Sequence, residues 1–442
     1  MSRFVSLSVL RTTALCLLLA GTLLVRGMYN VQVQETPFSD MQGYEDLSLQ
    51  ILDGRPYGDG AFLRSFLMPG LPVFLAGAYA VFGRQNHAAV QWVYVALSLL
   101  MVLMVYDAGR MIYNEEAGLV AALFLSLSKE MTFWGAKPAA TEFLFSFWLL
   151  LSTYLFLRGL KGRPLLFLPL AGLATGLTYL VRPVVSLVPV IMIALYVYHA
   201  RVSRRHPYRR VILPFALFSL AFLIAVSPWA CRNQRIYGSL FLGSTNGWFT
   251  FISGNNDHVY FASPPIPAPT NRLLREAPGR FRNDLEASEH AKEVALQWVR
   301  EHPVKYAYLT LGRLFHLFTA DYVALTRVDY HRLEFYGGVR VPVVGWSPGF
   351  LLLLMMAVLF ALREGEREGR VDLPKLVPLL IPAGVTLLYV LVIDLPRYRQ
   401  PLMPLFYLCY GYALVSAFGW VREKRGGGEP RQRGSARIST VT

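Results

Sequence analysis

Apolar runs of roughly 16 to 20 residues recur along this chain, each near the length at which a helix crosses a hydrocarbon core. A run of that kind satisfies its backbone hydrogen bonds within lipid by coiling on itself. Spans are expected near 12–28, 87–106, 117–133, 142–157, 165–181, 183–199, 211–228, 346–362, 375–393 and 401–420. With 54% hydrophobic and 16% charged residues, the class is an all-α polytopic membrane protein of about ten transmembrane helices. The first run resembles a secretory signal, since Arg3 and Arg11 precede Leu15–Leu24. No small-residue cleavage site follows, so it reads as a retained helix.

Lys and Arg collect in alternate short loops. One holds Arg158, Lys161 and Arg163, a second Arg201, Arg204, Arg205, Arg209 and Arg210, and a third Arg363, Arg367, Arg370 and Lys375. Arg110 marks a further such loop. The positive-inside rule puts these loops and both termini in the cytoplasm. The net charge of +15 is therefore a topology signal, and without an interleaved basic and aromatic face it does not point to nucleic acid. The expected organisation is a body over 1–420, with outer loops 29–86 and 230–346, and a disordered basic tail over 421–442 that touches anionic membrane lipid. Short outer turns are expected at Trp134–Thr141 and Asp394–Gln400.

Several chemistries find no support. Cys16, Cys231 and Cys409 are scattered, giving neither a disulfide framework nor metal spacing. The histidines form no ligand pattern, and His258, His302 and His331 read as ordinary loop residues. There is no P-loop, no Asp-x-Asp pair, no Gly-x-Ser-x-Gly elbow and no internal repeat.

The candidate chemistry gathers in the outer segments. From Phe38 to Gly58 the apolar spacing fits a short helix starting at Ser39 or Asp40 and closed by Asp53-Gly54. Asp40 then stands at the helix start, as a functional carboxylate or as a cap, with Tyr44 one turn on. Glu45 and Asp46 face roughly 140 to 180° away, toward solvent or behind the site. Phe66–Gly83 reads as an interfacial helix or a further span, and topological parity favours the former.

Glu142, at the mouth of an apolar span, needs a partner or serves the helix dipole. Lys137 is a phosphate ligand or its counter-ion. Arg182, followed by Pro183 at the outer end of two spans, suits bidentate phosphate binding or snorkels toward lipid headgroups, and the same two readings apply to Arg232 with Asn233, and to Arg397 with Tyr398 and Arg399. Asn255 and Asn256 offer paired amides to sugar hydroxyls, or simply make a turn. Leu285–Glu301 is amphipathic and reads as a cover over the outer face, and Pro303–Ala320 as an interfacial helix.

The order D..GY..L...IL.G.PY over Asp40–Tyr57, then PG.PVFLA..Y.VFG, resembles the C-type membrane glycosyltransferases related to protein O-mannosyltransferases and the bacterial lipid A aminoarabinose transferase. TEFLF at Thr141–Phe145, LVRP at Leu180–Pro183, SPWACRNQRIYGS at Ser227–Ser239, SGNND at Ser253–Asp257, AKEVALQWVREHPVKYAYLTLGRLFHLF at Ala291–Phe318 and LPRYRQPLMP at Leu395–Pro404 follow in the family's order. The resemblance implies transfer of a sugar from a polyprenyl-phosphate donor to a lipid, glycan or protein acceptor outside the cytoplasmic (inner) membrane. Asp40 matches the family's catalytic aspartate, so it would be the base of an inverting displacement, with outer arginines on the phosphate. Such a donor carries its own leaving group, so no cofactor is required, although a divalent metal between Asp40 and Glu142 is compatible with hard ligands. A carrier or flippase for lipid-linked sugars would use the same arginines without needing Asp40. An assembly factor would leave the outer carboxylates unexplained.

Overall fold

A computed structural model of the chain describes residues 2–33, 37, 39–59, 62–203, 207–259, 268–318, 347–368, 372–393 and 395–425. All regular elements among these are helical. Among the described residues, seven helices are long and apolar enough to cross a membrane: Val9–Gln32, His87–Ile112, Thr141–Lys161, Pro164–Val181, Pro183–Arg201, Arg210–Tyr237 and Pro396–Arg422. Their lipid-facing sides are legible in the exposed apolar residues. The first presents Leu17, Leu23 and Leu24, and the sixth Ile212, Leu220, Leu223 and Ile224, a display that a water-facing surface would not carry.

The spanning body is built on α1 (Ser2–Gln32), α4 (His87–Ile112), α5 (Glu115–Ser126), α7 (Thr141–Lys161), α8 (Pro164–Val181), α9 (Leu187–Tyr198) and α10 (Tyr208–Tyr237). Helices Ser347–Glu368, Val377–Val392 and Met403–Arg425 complete it. Small residues set the closest crossings. A Cβ on Gly109 of α4 would lie 2.6 Å from Gly118 Cα of α5, and one on Gly176 of α8 would lie 2.5 Å from Ala225 Cβ of α10. At the ends where the basic loops lie, Asp107 Oδ2 accepts from Tyr154 at 2.9 Å and Arg158 at 2.5 Å, joining α4 to α7. Arg11 joins α1 to α5 through Glu115 and Glu116.

Three expected spans take a different form. Residues 117–133 form not one helix but α5 followed by α6 (Lys129–Gly135). The break falls where Ser128 leaves the first helix and caps the second, its Oγ accepting from Met131 N at 3.2 Å. Beyond it the buried Glu130 is drawn to Arg399 at 2.8 Å. The apolar stretches at 346–362 and 375–393 appear as Leu352–Arg363, within Ser347–Glu368, and Val377–Val392, both shorter than the seven long spans.

At the opposite ends from the basic loops sits a layer of short helices, called the outer layer here. It comprises α2 (Asp40–Leu52), α3 (Gly70–Phe82), α6, α11 (Gly247–Gly254), α12 (Ala268–Arg280), α13 (Asp284–Glu301) and α14 (Pro303–Leu317). Phe66–Gly83 thus yields a helix of 13 residues. It starts hard against the end of α8, since a Cβ on Gly70 would lie 2.7 Å from the Leu180 backbone. The amphipathic α13 buries Ala287, Ala291 and Ala295 against Phe249, Phe251 and Ile252 of α11, forming a separate small core in this layer. The basic tail beyond Arg425, and residues 260–267 and 319–346 of the expected outer loop, lie outside the described residues.

Candidate active site

Between the outer layer and the body lies a cavity of about 590 Å³. Asp40, Met41 and Tyr44 of α2 form one wall, Thr141 and Glu142 of α7 another, and Arg182, Arg397 and Tyr398 a third. The rest is largely apolar or aromatic, including Phe66, Met68, Trp134, Val184, Trp248 and Leu388. A mostly apolar space with a few converging polar groups is the usual form of a small-molecule site.

The polar end is organised around Glu142, in the first turn of α7 and 2% exposed. Its Oε1 accepts from Arg182 Nη2 at 2.7 Å and lies 3.6 Å from Arg397 Nε. Arg182 is held on every side. Its Nε donates to Thr141 Oγ1 at 2.7 Å and its Nη1 to the Tyr389 hydroxyl at 3.3 Å, while its guanidinium lies 5.1 Å from the Tyr398 ring. Tyr398 stacks on Tyr389 with centroids 4.8 Å apart and planes at 15°. Burial pulls the pKa of this arginine down, but Glu142, Tyr389 and Tyr398 outweigh it and hold the value well above the usual one. Arg397 is less committed. Its guanidinium sits 5.5 Å from the Tyr398 ring and 5.9 Å from the Trp134 ring, and its buried Nε has no hydrogen-bond partner.

Asp40 faces this cation pair across the cavity. It is exposed and makes no ion pair or side-chain hydrogen bond among the described residues. It is not the helix cap. Ser39 holds that place, at φ 53 and without a side-chain capping bond, a left-handed setting that is strained for a residue other than glycine. Burial pushes the Tyr44 phenol up, against the pull of Arg182, so the hydroxyl stays neutral and able to donate.

Of the side chains singled out in the sequence, Asp40, Tyr44, Glu142, Arg182, Arg397 and Tyr398 line one cavity. The others do not, because protein already occupies their polar groups. Arg232 Nη2 donates to the carbonyls of Tyr57 at 2.6 Å and Arg64 at 3.0 Å, and its guanidinium is packed between the Tyr57 and Trp229 rings. Asn233 accepts from Ser65 Oγ at 2.9 Å. Asn255 donates to the Phe251 and Val392 carbonyls and accepts from Arg313 at 2.8 Å. Asn256 donates to Ile252 O and accepts from His258 N. Arg399 is fully buried on Glu130, and Lys137 is buried with its ammonium 4.9 Å from the Phe133 ring.

Sequence reasoning overlooked Thr141 and Tyr389, which steer Arg182, and placed Glu45 toward solvent or behind the site. Glu45 is buried between α2 and α3, accepting from the Tyr79 hydroxyl at 2.8 Å. The missed signal was its place on the apolar side of a two-faced helix.

No group of three or more His, Cys, Asp or Glu side chains that could hold a metal ion occurs among the described residues. Glu142 is already neutralised by arginines, so the carboxylates of the cavity do not make a fitting donor set for a divalent cation.

The family model for dolichyl-phosphate-mannose-protein mannosyltransferases matches residues 68–231. Those residues run from the cavity wall at Met68 to the outer end of α10. In fold, the chain is similar to the crystal structure of the Archaeoglobus fulgidus oligosaccharyltransferase in the apo form, with a TM-score of 0.54 and 13% identity over 94% of this chain and 51% of that one. It is likewise similar to ArnT from Cupriavidus metallidurans bound to undecaprenyl phosphate, with a TM-score of 0.51 and 14% identity over 93% of this chain and 62% of that one. The chain has the C-type membrane glycosyltransferase fold. It spans about half the length of the archaeal oligosaccharyltransferase. A second structure of that enzyme, AglB, holds an inhibitory peptide and a dolichol-phosphate, and matches with a TM-score of 0.53 and 13% identity over 95% of this chain and 52% of that one. No curated protein matches the chain in sequence.

Proposed function

We propose that this C-type fold transfers a single sugar from a polyprenyl-phosphate carrier to an acceptor hydroxyl on the outer face of the cytoplasmic membrane. The observation that carries the reading is the cavity itself, in which an unpaired carboxylate, Asp40, faces two arginines across a mostly apolar space. The acceptor oxygen attacks the anomeric carbon as the bond from that carbon to the phosphate oxygen breaks. The electron pair leaves with the lipid phosphate, and the acceptor proton passes to Asp40. Arg397 receives the phosphate charge, backed by Arg182 and oriented by the Tyr389–Tyr398 stack, so that the cations stand ready where charge develops. The apolar wall suits the first isoprene units. One displacement inverts the anomeric configuration. Solved relatives that hold undecaprenyl phosphate and dolichol-phosphate support a lipid-phosphate ligand for this fold.

The test incubates purified protein with a panel of polyprenyl-phosphate sugars and a crude envelope acceptor fraction. Release of free lipid phosphate, with the sugar in inverted linkage on the acceptor, is the expected result. Tight binding of donors without turnover, acceptor present, would favour a carrier instead.

A further inference from the structure

α2 has two working faces. Asp40, Met41 and Tyr44 line the cavity, while Glu45 and Ser48 are buried on the side turned to α3. Glu45 is 6% exposed, an expensive place for a carboxylate without partners. Its Oε1 accepts from the Tyr79 hydroxyl of α3 at 2.8 Å and lies 2.5 Å from Nε2 of His87, the first residue of α4.

The turn that delivers His87 is forced into shape. Gly83 has φ 103 and Gln85 has φ 53, a left-handed conformation that strains a non-glycine residue. Asn86 then caps α4, accepting from Ala89 N at 3.1 Å. The same turn carries Arg84, whose two terminal nitrogens meet the two oxygens of Asp53, beyond the other end of α2, at 2.5 and 3.2 Å. One strained turn therefore grips α2 twice, at a buried point and at an exposed one.

We propose that Glu45 is a positioning residue for Asp40. Through His87 and Tyr79 it fixes the rotation of α2 about its own axis, and with it the direction in which Asp40 presents its carboxylate to the cavity. This rests on the transferase reading above. Five residues along a helix turn the chain by about 140°, so holding Glu45 against α3 directs Asp40 to the other side. A roll of about 20° moves a carboxyl group some 6 Å from the axis by about 2 Å, and misplacement by about 1 Å can lower a rate about 100-fold.

His87 closes the clasp. Its side chain is 26% exposed at the outer layer, and it supplies the second partner of Glu45 beside the Tyr79 hydroxyl. The other groups around the clasp do not substitute for it. Asp46 is exposed on α2, Asp53 is engaged by Arg84 and Arg55, and α3 and α8 behind it carry no charged side chain. Tyr79 contacts Glu45 directly, and Tyr94 lies behind Tyr79.

The test measures kcat and KM for lipid-phosphate release by full-length wild type, Glu45→Gln and His87→Gln. Hydrogen exchange of the α2 amides is followed in parallel. The clasp predicts that kcat in Glu45→Gln falls about 10- to 100-fold with donor KM unchanged. In His87→Gln kcat also falls with donor KM unchanged, and α2 loses protection in both variants. An unchanged kcat in Glu45→Gln or in His87→Gln, or a loss of kcat that only tracks loss of folded protein, would overturn it. If the wild type releases no lipid phosphate, the transferase reading fails separately. Exchange then decides the clasp: intact α2 protection in Glu45→Gln overturns it, and lost protection upholds Glu45 as the residue that sets α2.

Discussion

Arg232, near the outer end of α10, and Arg182, at the outer end of α8, sit on neighbouring helices, and in the sequence both look like cations stranded away from the cytoplasm. Their surroundings differ in kind. Arg232 is enclosed by backbone carbonyls and two aromatic faces, and its work is to clamp Tyr57, Arg64 and Ser65 onto α10. Arg182 is met by a carboxylate, a threonine and a tyrosine on the wall of a cavity, with Arg397 beside it. An arginine satisfied by carbonyls holds a fold together. One paired to a carboxylate, next to a second arginine that the same carboxylate holds only at 3.6 Å, keeps positive charge on a cavity wall.

Breaking that contrast should produce graded effects. The largest falls on stability at the cavity: Arg182→Ala strands Glu142 as a buried charge, for a loss of about 3–5 kcal/mol read from the thermal midpoint in detergent. Replacing both, Arg182→Leu with Glu142→Leu, should recover most of that loss while still abolishing turnover. Arg232→Ala comes next, at roughly 2–4 kcal/mol from lost charged hydrogen bonds and ring contacts, with donor affinity per folded molecule unchanged. Arg397→Ala should do the reverse, leaving the midpoint in place and weakening polyprenyl-phosphate binding about 10- to 100-fold, the value of one or two charge-assisted hydrogen bonds. Tyr44→Phe should be smallest, a loss of a few-fold in kcat for one hydrogen bond. Because burial raises the Tyr44 phenol, the hydroxyl keeps its proton to high pH, so this change should leave the pH profile below about pH 9 as it was.

Much of the architecture was legible because its signals are local. Apolar runs marked the long helices, alternating basic loops marked the side away from the cavity, and Ser39-Asp40 with Asp53-Gly54 bracketed α2 to the residue. What was not legible depends on contacts between distant segments. Nothing near Lys129 and Glu130 announces that Arg399 will bury itself on Glu130 and help break the third expected span in two. Nothing in Asn255-Asn256 distinguishes amides that read a sugar from amides that tie off carbonyls of Phe251, Ile252 and Val392. The cavity residues could be nominated because each was an ionisable or aromatic group where lipid or water would not explain it. Thr141 and Tyr389 were ordinary until Arg182 arrived between them. Glu45 was discounted for facing away from Asp40, and the structure makes that opposition the basis of the clasp.

The central claim is that Asp40 is the base of a sugar transfer and not merely a polar residue on the cavity wall. Its most direct test is a side-by-side measurement of donor binding and lipid-phosphate release in wild type and Asp40→Asn. The account predicts equal binding and a fall in release of about 10²- to 10⁴-fold, the usual contribution of general-base catalysis. Equal release from both proteins would contradict it.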